Sequence, residues 1–164
     1  HGSFLDDEAL RLMKERGTYF VPTLMAGEYA GGRKAKRQYP PEIAAKAKAA
    51  LEARSSAMRA AVKAGVKIAF GTDAGGFPWT EINQAQEFEH EVRLGMSPLE
   101  AIRSATTVAA ELLGTSGRAG AVEAGAWADL VAVTGDPLKD VSVLSRIDFV
   151  MKNGEVVRAP APRE

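Results

Sequence analysis

The sequence VKIAFGTDAGG occupies residues 66–76, and this stretch decides the fold. Its first half is a compact apolar run that predicts a buried strand over Val66–Phe70. Glycines surround Asp73 directly after that run, and functional sites of parallel α/β sheets form where strands end. A carboxylate there can bind a divalent ion and accept a proton from water. From the spacing alone, Asp73 is about as well interpreted as an ordinary turn residue as a functional one.

Strands and helices alternate on both sides of this stretch. Thr18–Thr23 is a second β-prone run, which we expect to stop at Pro22. Amphipathic patterns predict the helices, together with caps such as Asp6 and the capping box Ser97–Glu100 and glycine stops such as Gly17. They cover Asp7 to about Arg16, Pro41 to Gly65, about Glu81 to Leu94 with Ile82, Ala85, Phe88 and Val92 inward, Ser97 to about Ser104 and Thr107 to Leu113. This alternation over residues 1–114 predicts an α/β fold with a parallel sheet.

Short strands replace helices after Gly114. Ala128–Val133 is one, and Asp148–Lys152 with Glu155–Arg158 predicts a hairpin across Asn153-Gly154, a typical type I′ turn. We therefore expect a separate small β unit over residues 115–164. Asp129 inside the first strand is interpreted as a turn or backbone hydrogen-bond residue.

Composition excludes several classes of function. Lys+Arg and Asp+Glu number 21 each, so no charge excess favours nucleic acid or an anionic membrane. The chain has no cysteine, which excludes disulfides and thiolate ligands. No apolar run is long enough for a membrane span, and the first residues lack signal-peptide features, so a cytoplasmic protein is expected. With 164 residues it is shorter than the roughly 250 of a complete α/β barrel.

Four other features are candidates for function. His1 is a possible zinc ligand, although terminal residues are commonly mobile. His90 is interpreted as a solvated surface histidine. Gly71–Gly76 is a weak phosphate-cradle candidate, because it lacks the ending of a P-loop. The basic cluster Arg33, Lys34, Lys36 and Arg37 is interpreted as a solvated face, with a substrate carboxylate as the alternative partner.

Four stretches, taken in order, resemble the C-terminal part of the amidohydrolase superfamily, in its imidazolonepropionase-like and prolidase-like branch. His1-Gly2-Ser3 is similar to the His-Gly after the sixth barrel strand of that family. Val66 to Gly75 is similar to its eighth strand with the metal-binding aspartate. Gly95 to Gly114 is similar to the helices that follow, and Gly120 to Gly154 to returning strands of a β-sandwich.

The resemblance implies that the chain forms the last strands and helices of a TIM-type (β/α)8 barrel plus the C-terminal strands of a small β-sandwich. The chain would then be an incomplete domain. The resemblance also implies a hydrolase of C–N amide bonds, in dipeptides or N-acyl amino acids, that uses divalent metal, usually zinc. Asp73 would bind metal and move the proton, and His1 would bind metal.

The chain departs from that family in lacking its His-x-His, its metal-bridging lysine and its strand-five histidine. We therefore expect negligible hydrolysis by this chain alone. We also expect a homo-oligomer or association with an N-terminal part. The alternative is a non-enzymatic α/β assembly or binding module that retains the shape, and such a module would need no metal.

Overall fold

The computed structural model describes residues 1–31, 39–75, 77–78 and 80–160. The chain forms helices α1 (Asp7–Arg16), α2 (Leu24–Gly31), α3 (Pro41–Ala64), α4 (Gln86–Arg93), α5 (Pro98–Ala105) and α6 (Thr107–Leu112), then strands β1 (Leu130–Val133), β2 (Ile147–Lys152) and β3 (Glu155–Arg158), with a 3-10 helix over Val141–Ser145 between β1 and β2. Among these residues no helix is long and apolar enough to cross a membrane. The basic cluster Arg33–Arg37, Gly76 and Trp79 lie outside the described residues.

The two predicted barrel strands are present only as a single parallel bridge between Phe20 and Ile68. The amide of Phe20 donates to Lys67 at 2.8 Å, and the amide of Ala69 donates to Phe20 at 3.0 Å. The next donor on the same edge would be residue 22, which is a proline and has no N–H. The prediction of longer strands was therefore wrong in extent, although their parallel pairing is confirmed.

The core lies where these extended segments meet α1, α3 and the end of α4. Its buried side chains are Leu10, Phe20, Leu24, Met58, Ala61, Val66, Ile68, Leu94 and Met96. Only the C-terminal half of α3 contributes to it, since Met58 and Ala61 are fully buried whereas Ile43, near the start of the helix, is exposed. This core fixes Phe20 and Ile68, and therefore the loops that follow them, relative to the helices.

Helix α4 begins later than predicted, at Gln86 rather than near Glu81. Asn83 causes this, because its side-chain oxygen accepts from the Ala85 amide at 3.0 Å and its amide donates to the Ser145 carbonyl at 2.6 Å. Such a local turn competes with helical hydrogen bonding. The fully buried residues of α4 are Glu87 and Glu91, whereas the residues predicted to face inward are only partly buried.

The C-terminal unit is a three-stranded antiparallel sheet in the order β1-β2-β3. Asn153 and Gly154 both have positive φ, 49° and 81°, and the predicted hairpin is confirmed. Asp129 accepts from the Asn153 amide at 2.8 Å and from the ammonium of Lys152, which confirms its interpretation as a turn residue. Val141 and Val143 of the 3-10 helix are buried, and this segment packs against α4.

Candidate active site

His1 and Asp73, the two site residues predicted from the sequence, face each other in the structure. Nε2 of His1 lies 3.6 Å from Oδ2 of Asp73, and both side chains are about half exposed. His1 precedes α1, whose N-cap is Asp6, and Asp73 follows the segment that contains Ile68. Residues far apart in sequence therefore place a nitrogen and an oxygen donor at one point of the surface.

The backbone directs Asp73 toward this point. Its φ is +56°, in the left-handed region that aspartate tolerates better than most residues. Gly71 contributes through packing, because a Cβ there would lie 2.5 Å from Cγ1 of Val21 on the neighbouring extended segment. The close packing against Val21 therefore explains why position 71 is a glycine, and the phosphate-binding interpretation is not needed to explain it.

Thr23 is a third residue beside this pair, and it was not predicted from the sequence. Its hydroxyl oxygen lies 2.5 Å from Nδ1 of His1 and 2.7 Å from the Pro22 carbonyl oxygen. Thr23 is buried and has a φ of +50°, which is rare for a β-branched residue. The available signal was its place after proline and directly before α2, where threonine is a typical cap.

Charged side chains from two helices hold the segment around Thr23. The guanidinium of Arg54 donates through Nη1 to the Thr23 carbonyl at 2.8 Å and through Nε to the Ser3 hydroxyl at 3.1 Å. Glu87 accepts from the amides of Leu24 and Met25, both at 2.7 Å. These bonds satisfy two free amides at the start of α2.

Burial dominates the electrostatics of the two inward carboxyl groups of α4. It raises the pKa of Glu87 to about 7, although the backbone amides of Met25 and Leu24 and the charge of Arg54 act in the opposite direction. Burial raises the pKa of Glu91 to about 8, and the nearby Glu87 adds to the increase. Charged residues four positions apart on one helix were the sequence signal for this pair.

The interpretation of His90 as a solvated surface histidine was wrong. It is half-buried, its Nδ1 lies 2.7 Å from Nη2 of Arg93, and burial together with Arg93 lowers its pKa. It lines a cavity of about 460 Å³ with Met25, Glu28, Tyr29, Phe77, Glu81, Ile82, Asn83 and Gln86. This cavity opens between α2 and α4, beside the loop that follows Asp73.

The donor pair fits part of a zinc site. With bonds of about 2.1 Å, two ligands at adjacent corners of a tetrahedron are about 3.4 Å apart, close to the 3.6 Å between His1 and Asp73. Among the described residues, however, no group of three or more His, Cys, Asp or Glu side chains can hold an ion. A catalytic zinc takes about three protein ligands, so this pair is an incomplete set.

Comparison with known proteins identifies the family. The model of the amidohydrolase family matches residues 1–157, and the chain belongs to that family. It is 34% identical to ochratoxinase of Aspergillus niger over 166 aligned positions, which cover 98% of this chain and 33% of that enzyme.

Two solved structures are also similar. One is a Xaa-Pro dipeptidase with methionine bound in its active site, with a TM-score of 0.89, 42% identity and coverage of 97% of this chain and 39% of the other. The other is a prolidase complexed with N-methylphosphonate-L-proline, with a TM-score of 0.86, 35% identity and coverage of 97% and 39%. The chain thus spans between a third and two fifths of these relatives.

Proposed function

We propose that this chain supplies part of the active site of a metal-dependent amidohydrolase that cleaves C–N bonds in dipeptides or N-acyl amino acids. The observation that carries the proposal is the 3.6 Å separation of His1 Nε2 and Asp73 Oδ2. These two atoms belong to the two residues that the family resemblance assigns to metal. They come from separate segments, so their meeting is a result of folding rather than of sequence adjacency.

The relatives support the substrate class. The similar solved structures are a Xaa-Pro dipeptidase with methionine bound and a prolidase bound to N-methylphosphonate-L-proline, and both ligands are built on an amino acid. The cavity between α2 and α4 provides both aromatic and polar surface, from Tyr29, Phe77, Gln86 and Glu28. We assign it to a side chain of the substrate, because Phe77, which lines it, follows Asp73 by four residues in the chain.

Each residue has a definite part in the proposed reaction. A divalent ion, when bound, would supply Lewis-acid activation of water and of the scissile carbonyl. His1 would hold the ion through Nε2. The carboxylate of Asp73 would hold it as well, would accept the proton from the attacking water and would deliver that proton to the leaving nitrogen.

Further ligands must come from outside the described pair, either from additional polypeptide or from a partner chain. Exposed apolar side chains are consistent with such a partner, since Leu113 is 75% exposed, Val122 88% and Val157 69%. We propose that residues 1–114 form the end of a barrel and residues 115–164 the end of a β-sandwich. On this basis the chain alone hydrolyses amides negligibly.

A second candidate is the non-enzymatic assembly or binding module. The limited donor set favours it, because among the residues that the structure describes no group of three or more His, Cys, Asp or Glu side chains could hold an ion. Such a module needs no metal, so metal content separates the two proposals.

Zinc binding by the chain, alone and joined to the remaining part of the full-length protein, tests the main proposal. We expect zinc in the complete protein, a loss of affinity of at least 10-fold in Asp73→Asn and His1→Ala, and hydrolysis of Xaa-Pro dipeptides or N-acyl amino acids. Asp7→Asn removes the same charge from the exposed first turn of α1 and should change nothing. A complete protein that binds no zinc would contradict the proposal and favour the assembly module.

A further inference from the structure

We infer that Arg54 is a positioning residue that keeps the side chain of His1 opposite Asp73. The inference deepens the proposed function and rests on its assignment of His1 as a metal ligand. It concerns a guanidinium that acts through the two segments it joins rather than through a bond to the metal position.

The guanidinium of Arg54 connects two segments that are far apart in the sequence. Its Nε donates to the Ser3 hydroxyl at 3.1 Å, and its Nη1 donates to the Thr23 carbonyl at 2.8 Å. Ser3 lies two residues after His1. The Thr23 hydroxyl oxygen lies 2.5 Å from Nδ1 of His1, and this contact forms whichever of the two groups donates. Arg54 therefore holds both the segment that carries the ring and the turn that the ring contacts.

Arginine suits this role because its donors belong to one rigid group. Nε and Nη1 lie on a planar fork, so their two acceptors are kept at a fixed separation and direction. Arg54 is half-buried, and Met58, one turn further along α3 on the same face, is fully buried in the core. The connection is thus anchored in the best-packed part of the chain.

The His1 side chain depends on such contacts for its order. Its ring is about half exposed, whereas Gly2 lies against the core, since a Cβ there would be 2.6 Å from the Phe20 ring. The backbone is therefore held, while an exposed ring keeps its rotational freedom unless polar contacts remove it. Arg54 supplies this restraint by fixing the turn that the ring contacts.

The charge of Arg54 acts in the opposite direction from its geometry. Burial lowers the pKa of Arg54, whereas the charges of Glu87 and Asp73 raise it, so the guanidinium is within electrostatic reach of Asp73. A cation at this place repels a divalent ion, and its removal should by itself increase zinc affinity. A positioning role predicts a decrease instead. The sign of the change therefore separates the two effects.

Carbon-13 relaxation of the histidine ring C–H groups in the metal-free 164-residue chain tests the inference, because it reports motion faster than microseconds. We expect an ordered His1 ring in the wild type and a mobile ring in Ser3→Ala, which removes one of the two acceptors. Arg54→Met removes both bonds and should also mobilise the ring. Arg54→Lys keeps the charge without the fork and should resemble Ser3→Ala, in case Arg54→Met does not fold. The His90 ring should be unchanged in all variants.

Arg59→Met is the matched control, since it removes an arginine from the same helix. Arg59 is exposed, and its Nη1 lies 3.4 Å from the Ser55 carbonyl. This variant should leave the His1 ring ordered. In the chain joined to the remaining part of the full-length protein, zinc affinity should fall about 10- to 100-fold in Arg54→Met and remain near wild type in Arg59→Met.

Three results would overturn the inference: a mobile His1 ring in the folded wild type, an ordered ring in folded Ser3→Ala and Arg54→Lys, or higher zinc affinity in Arg54→Met. Ring order is measured without metal, so its outcome is separate from that of the proposed function. Ring order that depends on Arg54, in a complete protein that binds no zinc, would uphold the positioning and contradict the metal site.

Discussion

The hydroxyl oxygen of Ser104 lies 2.9 Å from Oε2 of Glu91, and both side chains are fully buried. The same oxygen lies 2.7 Å from the Ala101 carbonyl, which can only accept. Ser104 has one proton and can donate it to Glu91 or to Ala101. When Ala101 receives that proton, the contact with Glu91 is a hydrogen bond only if the carboxyl group is protonated and donates. The raised pKa of about 8 agrees with a neutral Glu91 at pH 7.

Glu91→Gln should therefore be well tolerated, because the amide group can donate to Ser104 as the neutral acid does. We expect its free energy of unfolding at pH 6 to be within about 1 kcal/mol of wild type. Glu91→Ala should lose about 2–4 kcal/mol, because it leaves a cavity and removes the buried hydrogen bond between position 91 and Ser104. Urea denaturation of both variants measures this. A Gln variant as unstable as the Ala variant would show that the buried charge is required.

Stability should decrease as the pH rises from about 4.5 to 8. The pKa of Glu87 is raised from 4.5 to about 7 and that of Glu91 to about 8, so the folded state holds protons that the unfolded state has released. Stabilisation from these two groups is complete below pH 4.5 and is lost as the pH rises through the folded-state values. The loss contributed by Glu91 between pH 6 and 9 is on the order of 2 kcal/mol.

Urea denaturation at several pH values checks this slope. The Glu91→Gln variant serves as the control, since it lacks the titrating group and should lose less stability above pH 6. Wild-type stability that increases steadily from pH 5 to 8 would contradict the assignment of a raised pKa to either carboxyl group.

Gly120→Ala should be more damaging than Gly117→Ala. Both glycines have positive φ, 86° and 76°, so both substitutions incur the cost of about 1–2 kcal/mol for a left-handed alanine. Only at Gly120 would the new Cβ collide with backbone, at 2.6 Å from the Thr106 carbonyl oxygen. This collision should add roughly 1–3 kcal/mol. Equal melting temperatures for the two variants would contradict the prediction, because they would mean that a Cβ at position 120 does not collide with the Thr106 carbonyl.

Ser97→Ala should destabilise the chain by about 1 kcal/mol, because it removes the N-cap of α5. Ser97 accepts from the Glu100 amide at 3.3 Å, and the Glu100 carboxylate accepts from the Ser97 amide at 2.7 Å. Ser97→Thr keeps the cap and is the matched control. The amide and the hydroxyl of Ser97 both donate to the Glu100 carboxylate, and these two bonds lower the pKa of Glu100. The stabilisation from this carboxylate should therefore be lost as the pH falls below about 4.5. Denaturation at pH 7 and pH 3 measures both effects.

Local signals in the sequence predicted much of the fold. Asp6 and Gly17 at the ends of α1, the capping box at Ser97 and the Asn153-Gly154 hairpin are all confirmed. Each depends on residues a few positions apart, for which side-chain chemistry determines the backbone. The placement of Asp73 after an apolar segment is of the same kind.

Features that depend on distant contacts could not be predicted. The short pairing at Phe20 results from Pro22 lacking an N–H on the bonded edge, which shows only when the register is known. The inward direction of Glu87 depends on the start of α2, which offers two amides more than sixty positions away. The role of Thr23 likewise required the position of the His1 ring.

The guanidinium of Arg54 has a consequence for how this sequence can vary. A Cβ at Gly27 would lie 2.9 Å from Nη1 of Arg54, so the absence of a side chain at position 27 makes room for the guanidinium. Arg54 binds the backbone of Thr23 but the side chain of Ser3. Among homologues, positions 27 and 54 should therefore change together, whereas position 3 should drift among small polar residues without a matching change elsewhere.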